Sequence, residues 1–261
     1  GLVRHLYIRT NRAGESLVCV VANGDRLPHS EELVDVLRRA EPGLSGVVLN
    51  TNTRDTNVIL GDRYTTLWGR DWLKEELCQL EFQLSVPSFF QINRAQTERL
   101  YAAALDFAGL TGSETVLDLY CGIGTISLAL ARRAGRVIGA EIVPQAIEDA
   151  KENAKRNGID NAEFFCGDAG AVAQKLTEEG IRPQVICVDP PRKGLSPHVP
   201  AILAGMAPER IVYVSCDPAT LARDVNRLGD LGYHPVKAQG VDLFPRTAHV
   251  ETIVLLQGGN S

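Results

Sequence analysis

Cys216 and Glu251 are the two residues of this chain best suited to covalent and proton-transfer chemistry. Cys216 ends the apolar run I-V-Y-V-S-C and precedes Asp217, Pro218 and a helical pattern, so we expect it at the rim of a cleft. A nearby helix N-terminus would lower the pKa of its thiol towards the nucleophilic thiolate. Glu251 begins the last predicted strand, in R-T-A-H-V-E, and could project into the same cleft as a general base.

The other cysteines indicate neither a metal site nor disulfides. The six cysteines are widely spaced, with no Cys-x-x-Cys pair and no His at ligand spacing, so no structural zinc is expected. Cys187 and Cys166 lie in apolar runs and are predicted to be inert core residues. Reduced thiols are typical of cytoplasmic proteins, so a cytoplasmic location is expected.

A third candidate, Asp189, follows the apolar run V-I-C-V in D-P-P-R-K-G (189–194). The two prolines stiffen this loop and would keep Asp189 near a reacting group. An Asp-Pro-Pro at such a strand end resembles the motif with which amino- and base-methyltransferases hold a flat substrate. Adenine-amino methyltransferases usually continue with an aromatic residue, whereas this chain has Arg192.

A glycine turn predicts a cofactor site. In L-D-L-Y-C-G-I-G-T (117–125), Gly122 and Gly124 would let the backbone pass close to a ligand where a strand gives way to a helix. Ser127 stands where a dinucleotide fingerprint has its third glycine. This difference disfavours NAD and leaves S-adenosylmethionine as the better candidate ligand.

Two acids at the following strand ends also favour a nucleoside cofactor. Glu141 closes the second strand, where a carboxylate could accept both ribose hydroxyls. Asp168 closes the third strand in C-G-D-A, where it could receive the adenine amino group. Either acid, taken singly, could instead be a helix N-cap or a solvated carboxylate.

These residues would be positioned by strands that alternate regularly with helices from residue 114 onwards. Strands are predicted at 115–121, 136–141, 162–166, 184–189 and 210–215, and helices at 125–134, 144–157, 170–179, 198–205 and 218–231. Short apolar runs suit parallel strands that are buried on both faces. The last two strands, 235–243 and 250–257, should pair as an antiparallel hairpin. The predicted fold is α/β, the Rossmann-like class I methyltransferase architecture with a mostly parallel seven-stranded sheet, in which ligands bind beyond the carboxyl ends of the strands.

Residues 1–85 are predicted to form a separate small α/β domain, and residues 86–261 the methyltransferase domain. The first domain should contain strands at 3–10, 16–22, 45–50, 56–60 and 64–68 and a helix at 29–40. Ser30 is the expected N-cap of that helix. A further helix at 91–108 should end at Gly109 as its C-cap.

The composition permits a large domain plus a small one but indicates no basic surface. The chain has 261 residues, 44% of them hydrophobic, and a net charge of −5. Because phosphate affinity normally comes from clustered Lys and Arg, RNA affinity would depend on local basic spots, on stacking or on a segment outside this chain.

The chain starts at Gly1 without an initiator Met, and we expect a fragment of a longer protein. No apolar run approaches the roughly 20 residues of a membrane span, so no membrane partner is expected. The chain is also expected to be a monomer.

The combined motifs resemble the RNA 5-methyluridine (uracil-C5) methyltransferase family. The matching segments are S-F-F-Q-I-N (88–93), L-D-L-Y-C-G-I-G-T, Glu141, G-D (167–168), D-P-P-R-K-G, V-S-C-D-P and H-V-E-T. The F-F-Q-I-N and G-L-V-R-H-L segments look more like the branch that acts on 23S ribosomal RNA than the branch that acts on transfer RNA.

The resemblance implies methyl transfer from S-adenosylmethionine to carbon 5 of a uridine in RNA, most closely 23S rRNA. Cys216 would add to carbon 6 of the uracil, and Glu251 would remove the proton from carbon 5. Family members usually also carry an N-terminal OB-like RNA-binding domain and some an iron–sulfur cluster, and neither is found in these residues. Cofactor contacts are implied for Gln91, Tyr120, Thr125, Glu141, Asp168 and Asp189.

Other functions stay open at this point. The same chemistry could act on transfer RNA, or on cytosine, although Arg192 and the H-V-E ending argue against a cytosine-5 RNA methyltransferase. A small-molecule methyltransferase on the same fold would suit the acidic charge but leave Cys216 without a role. A catalytically silent RNA-binding or assembly factor would need neither Cys216 nor Glu251.

Overall fold

The computed structural model describes residues 1–259, which divide into two compact units. The first unit comprises residues 1–76 and 81–90, and the second comprises residues 77–80 and the chain from Gln91 onwards. Each unit has its own hydrophobic core. None of the helices within the described residues has the length and apolar character that a membrane span requires.

The first unit is built on a four-stranded sheet of order β1-β2-β3-β4, in which β2 and β3 are parallel and the other pairs antiparallel. Strand β2 is buried on both faces, because Cys19 and Val21 join one apolar cluster while Val18 joins another beneath α1. A separate two-stranded sheet pairs β5 with β6. The elements are β1 Val3–Thr10, β2 Ser16–Ala22, α1 Ser30–Ala40, β3 Leu44–Thr51, β4 Arg63–Gly69, β5 Trp72–Leu77 and β6 Leu80–Ser85.

The predicted strand at 56–60 is wrong, because this segment forms a loop held by asparagine side chains. Asn52 Nδ2 donates to the carbonyl oxygens of Val58 (2.8 Å) and Ile59 (3.0 Å). The backbone nitrogen of Gly61 donates to Asn50 Oδ1 at 2.7 Å. These bonds satisfy backbone groups that a strand would have paired with a neighbouring strand.

The N-terminal part differs from the prediction in two further places. Helix α1 begins at Ser30 itself, and the N-cap is His29, whose side chain makes no capping bond. Strands β5 and β6 were not predicted, and they extend the β content of this unit beyond the expected five strands.

The second unit contains a seven-stranded sheet of order β12-β13-β11-β10-β7-β8-β9. Five neighbouring strands, β11, β10, β7, β8 and β9, are parallel to one another. Strand β13 is antiparallel to both β11 and β12. The predicted class I methyltransferase architecture is therefore confirmed, as is the C-cap at Gly109. The elements are α2 Arg94–Ala108, β7 Thr115–Leu119, α3 Thr125–Ala131, β8 Arg136–Glu141, α4 Pro144–Arg156, β9 Ala162–Cys166, α5 Ala169–Glu178, β10 Val185–Val188, α6 Val199–Gly205, β11 Arg210–Ser215, α7 Pro218–Gly229, β12 Tyr233–Val241 and β13 Glu251–Gly258.

The alternation of side chains along β7 shows how the sheet is covered on both faces. Leu117 and Leu119 join an apolar core that also contains residues of α5, α6 and α7. Asp118 points to the opposite face, where its carboxylate accepts a hydrogen bond from the Ser127 hydroxyl on α3. A strand buried on both faces has no room for solvated polar residues, so its conspicuous polar residue is itself hydrogen-bonded.

Candidate active site

Strand register places Glu251 beside Cys216. Strands β11 and β13 are antiparallel, and Ser215 pairs with Thr252. The residue after Ser215 therefore lies opposite the residue before Thr252, at the edge of the sheet where the parallel strands end. The Glu251 side chain is 3% exposed, whereas Cys216 is only partly buried.

The surroundings of Cys216 disfavour its thiolate. Burial raises the pKa of the Cys216 thiol above its usual range, and the negative charges of Glu251 and Asp189 raise it further. Arg192 acts in the opposite direction and lowers the pKa. The net shift is therefore upward, opposite to the lowering expected from a helix N-terminus, because burial and the neighbouring carboxylates raise the pKa.

Asp189 follows β10, and its backbone nitrogen donates to the Leu119 carbonyl at 3.4 Å. Burial raises the pKa of this carboxyl to about 8, with further contributions from the negative charges of Glu251 and Asp118. Burial also raises the pKa of Glu251, while the Arg192 charge lowers it. Asp189, Glu251 and Cys216 thus form one electrostatically coupled group at the carboxyl edge of the sheet.

Arg192 supplies positive charge to this acidic group. Its guanidinium is exposed, and its Nη2 lies 3.4 Å from His249 Nε2. It lowers the pKa values of Cys216, Glu251 and Asp217. In the sequence, Arg192 served to distinguish this chain from adenine-amino and cytosine-5 methyltransferases, and its electrostatic effect on Cys216 and Glu251 was not predicted.

At the glycine turn, Glu141 is fixed against Gly122. The Gly122 backbone nitrogen donates to Glu141 Oε2 at 3.2 Å, and the Val143 nitrogen donates to Oε1 at 3.0 Å. Gly122 has a positive φ of 54°, and a Cβ placed there would meet no atom within 4 Å. The backbone of the turn therefore faces open space at Gly122, beside an oriented carboxylate.

Gly124 has a different reason to be glycine. Its φ is positive at 83°, and a Cβ at this position would lie 3.3 Å from Ala150 and from the ring of Phe164, so these neighbours would have to shift to admit a side chain. Tyr120, just before the turn, has a φ of 68°, which non-glycine residues rarely adopt. Backbone strain of this kind is concentrated at ligand sites, where the surrounding structure imposes it.

The remaining candidate cofactor residues lie at the same edge of the sheet or just before α2. Asp168 is the N-cap of α5, and its Oδ1 accepts from the backbone nitrogens of Gly170 (3.0 Å) and Ala171 (3.2 Å). The Thr125 hydroxyl bonds to the Tyr101 hydroxyl at 2.8 Å. Gln91 is half-buried, in the irregular segment that precedes α2.

Tyr120 lies close enough to the candidate acids for their charges to affect its pKa. Burial raises the pKa of its phenol to about 12, and the charges of Asp168 and Glu141 are among the further causes.

Asp118 was not predicted as part of this region. It is almost fully buried, and burial raises the pKa of its carboxyl to about 7, with a smaller contribution from Glu141. The signal that could have found it was an acid inside an apolar strand.

The other cysteines divide into buried and exposed thiols. Cys187 is buried as expected, and burial raises the pKa of its thiol well above the usual range. Cys166 is exposed at the end of β9, so its assignment to the core is wrong. The predicted strand is present, and Cys166 is its last residue.

Comparison with known proteins assigns the family. Residues 47–258 match the family described as tRNA (uracil-5-)-methyltransferase. The chain belongs to this family. An uncharacterized RNA methyltransferase of Clostridium acetobutylicum is 49% identical over 258 residues, which are 98% of this chain and 56% of that protein. A similar RNA methyltransferase of Halalkalibacterium halodurans is 46% identical with the same coverage. The chain therefore spans about half the length of these RNA methyltransferase relatives.

Solved structures agree with this family and fold. The tRNA (uracil-54, C5)-methyltransferase of Pyrococcus abyssi, solved in complex with S-adenosyl-L-homocysteine, superposes with a TM-score of 0.79 and 29% identity. The match covers 98% of this chain and 60% of that one. The M. jannaschii tRNA m1G37 methyltransferase gives a TM-score of 0.58 at 14% identity, with coverage of 100% and 77%. The second likeness concerns the fold alone.

Proposed function

We propose that this chain transfers a methyl group from S-adenosylmethionine to carbon 5 of a uridine in RNA. Cys216 is the nucleophile and Glu251 the general base. The observation that carries the proposal is the β11–β13 register, which sets a thiol and a buried carboxylate side by side at the sheet edge. Membership of the uracil-5-methyltransferase family supports the same chemistry.

The residues around the glycine turn fit a nucleoside cofactor. Open space lies over Gly122, and Glu141 is held beside it by two backbone nitrogens. Each carboxylate oxygen of Glu141 keeps a lone pair after accepting one bond, so it can still accept a ribose hydroxyl. Both bonds to the Asp168 side chain end on Oδ1, which leaves Oδ2 for an exocyclic amine. Gln91, Tyr120, Gly124, Thr125 and Asp189 complete the proposed cofactor set.

The chain's own groups perform two steps in this mechanism. S-adenosylmethionine, when bound, supplies a methyl group on a sulfonium. The Cys216 thiolate adds to carbon 6 of uracil, and the electrons of the 5,6 double bond pass to the ring as an enolate, which makes carbon 5 nucleophilic. Once carbon 5 carries the methyl group, Glu251 removes its proton, the bond between carbon 6 and sulfur breaks, and the double bond and the thiolate are restored.

We propose 23S ribosomal RNA as the target. The S-F-F-Q-I-N segment and the G-L-V-R-H-L opening support this branch over the transfer-RNA branch. The Pyrococcus abyssi relative, by contrast, acts on uracil 54 of tRNA. In either RNA the target base must leave its stack before Cys216 can reach it, at a cost of a few kcal/mol.

Product analysis tests this function directly. The chain is incubated with S-adenosylmethionine labelled in its methyl group and with unmodified 23S rRNA or tRNA transcripts, and the digested nucleosides are identified by mass spectrometry. The expected product is 5-methyluridine in 23S rRNA. Label in 5-methylcytidine would refute uracil as the target, and 5-methyluridine in tRNA alone would refute the ribosomal target while preserving the chemistry.

A further inference from the structure

A single buried carboxylate ties the loop that carries Arg192 to the helix that follows Cys216. Asp224 lies on α7 and is completely buried, with 0% of its surface exposed. Its Oδ2 accepts hydrogen bonds from the Leu195 backbone nitrogen (2.8 Å) and from the Tyr213 hydroxyl (2.9 Å). The carboxylate therefore joins the end of the loop, strand β11 and helix α7 at one point.

Arg223 strengthens this connection from the neighbouring position on α7. Its Nε donates to Asp224 Oδ1 at 2.9 Å. Its Nη2 donates to Asp224 Oδ2 at 3.1 Å and to the Lys193 carbonyl oxygen at 2.8 Å. Burial would raise the pKa of Asp224, but the bonds from Arg223, Leu195 and Tyr213 outweigh it and lower the pKa. The carboxylate is thus kept ionised inside the protein.

The loop lies so close to this carboxylate that Gly194 has no room for a side chain. Its φ is 73°, and a Cβ there would come within 2.4 Å of both Arg223 Nη2 and Asp224 Oδ2. The Gly194 backbone nitrogen donates to the Pro191 carbonyl at 2.7 Å and closes a turn around Arg192. The turn is therefore held both by its own closing bond and by its contact with α7.

We propose that Asp224 and Arg223, the carboxylate clamp, are positioning residues that set Arg192 against Cys216 and Glu251. This inference rests on the proposed role of Cys216 as nucleophile. The charges that act on the thiol come from Glu251 on β13 and from Asp189 and Arg192 on the loop after β10. The two carboxylates disfavour the thiolate, and Arg192 favours it.

An exposed guanidinium needs such an anchor. Coulomb attraction falls with distance and falls further when solvent enters between the charges. If the turn loosens, Arg192 can move away from Cys216, and the opposing charges of Glu251 and Asp189 then dominate. The carboxylate clamp would therefore set the thiolate fraction of Cys216 without touching the sulfur.

The test compares two arginines of α7 that share a partner. Arg223 and Arg227 both bond to Asp224 Oδ1, at 2.9 and 3.2 Å, and their side chains are 40% and 38% exposed. Arg223 also bonds to the Lys193 carbonyl of the loop, whereas the Arg227 side chain bonds to Asp224. Replacing either by alanine removes the same charge from the same helix.

The measurement is alkylation of the folded protein by iodoacetamide over a series of pH values. The peptide that contains Cys216 is quantified by mass spectrometry, so the exposed Cys166 does not contribute. Arg223→Ala should raise the midpoint pH for Cys216 by about half a unit or more, because Arg192 loses its position. Arg227→Ala should leave the midpoint within about a fifth of a unit of the wild type.

A double variant shows whether the effect passes through Arg192. Arg192→Ala should raise the midpoint at least as far as Arg223→Ala, and the double variant should not exceed Arg192→Ala. The clamp would be overturned if Arg223→Ala and Arg227→Ala shifted the midpoint pH equally, or if Arg223→Ala did not shift it. A double variant whose shift is the sum of the two single shifts would also overturn it. Alkylation requires neither RNA nor cofactor, so it tests the clamp separately from methyl transfer. A protein that shows the expected shifts but transfers no methyl group would refute the proposed function and leave the clamp intact.

Discussion

Cys216 and Glu251 lie side by side because β11 and β13 are antiparallel neighbours whose register pairs Ser215 with Thr252. One consequence is electrostatic. Burial raises the pKa of the Cys216 thiol, the charge of Glu251 raises it further, and Arg192 lowers it. The resting site therefore disfavours two adjacent negative charges, and formation of the thiolate depends on the guanidinium of the intervening loop.

Replacing Cys216 by alanine should abolish methyl transfer and preserve cofactor binding. The sulfur forms the proposed bond to carbon 6, and Cys216 follows β11 whereas the glycine turn follows β7. We expect the rate to fall by roughly a thousandfold or more, while calorimetry shows an unchanged affinity for S-adenosylmethionine. Cys166→Ala, at the exposed thiol, is the matched control and should keep full activity. Turnover of Cys216→Ala within tenfold of the wild type would exclude the covalent route.

Replacing Glu251 by glutamine should trap the methylated adduct. An amide cannot accept the proton from carbon 5, so the bond between carbon 6 and sulfur persists after methylation. A denaturing gel should then show an RNA–protein band with ordinary uridine substrate. Glu209→Gln, at the exposed residue just before β11, is the control and should show no such band. Rapid product release by the Glu251 variant would mean that another group is the base.

The sequence predicted the parallel sheet because its strands are short apolar runs separated by helical patterns. The same strand prediction also placed Asp189, Cys216 and Glu251 at strand ends. The upward shift of the Cys216 pKa was missed, because it comes from burial and from carboxylates on segments remote in sequence. Asp224 was also missed, since an acid three residues before Arg227 on a helix looks like a solvated ion pair.

Replacing Gly122 by alanine should weaken cofactor binding more than folding. A Cβ at Gly122 would project into the open space beside Glu141. Gly158, at the end of α4, offers a matched control because its φ of 63° is close to the 54° of Gly122, and a Cβ there also meets nothing within 4 Å. Both alanine variants should lose about 1 kcal/mol of folding free energy from the positive φ.

Titration calorimetry with S-adenosylmethionine separates the two glycine variants. The Gly122→Ala variant should bind about tenfold more weakly or worse, equivalent to about 1.4 kcal/mol. The Gly158→Ala variant should bind like the wild type. Equal affinities for the two variants would show that the space over Gly122 is not used by the cofactor.

Asp118 should make the folded protein less stable as the pH rises. Its carboxyl is 1% exposed, and burial raises its pKa from a usual value of 3.8 to about 7. The folded chain therefore holds this proton more tightly than the unfolded chain. The resulting stability is fully present below about pH 4 and is lost as the pH rises through 7. The raised pKa of Asp189 acts in the same direction.

The Asp118→Asn variant should flatten this pH dependence, because an amide does not titrate and its oxygen can still accept the bond from Ser127. Denaturant unfolding without cofactor should show the wild type losing about 2–4 kcal/mol between pH 5 and pH 8 from Asp118, a loss absent from the variant. Asp230→Asn, at an exposed residue after α7, should retain the wild-type slope. A wild-type slope in Asp118→Asn would mean that Asp118 is already ionised at pH 5. Its buried Oδ1, which has no hydrogen-bond partner among the described residues, would then carry an unpaired negative charge.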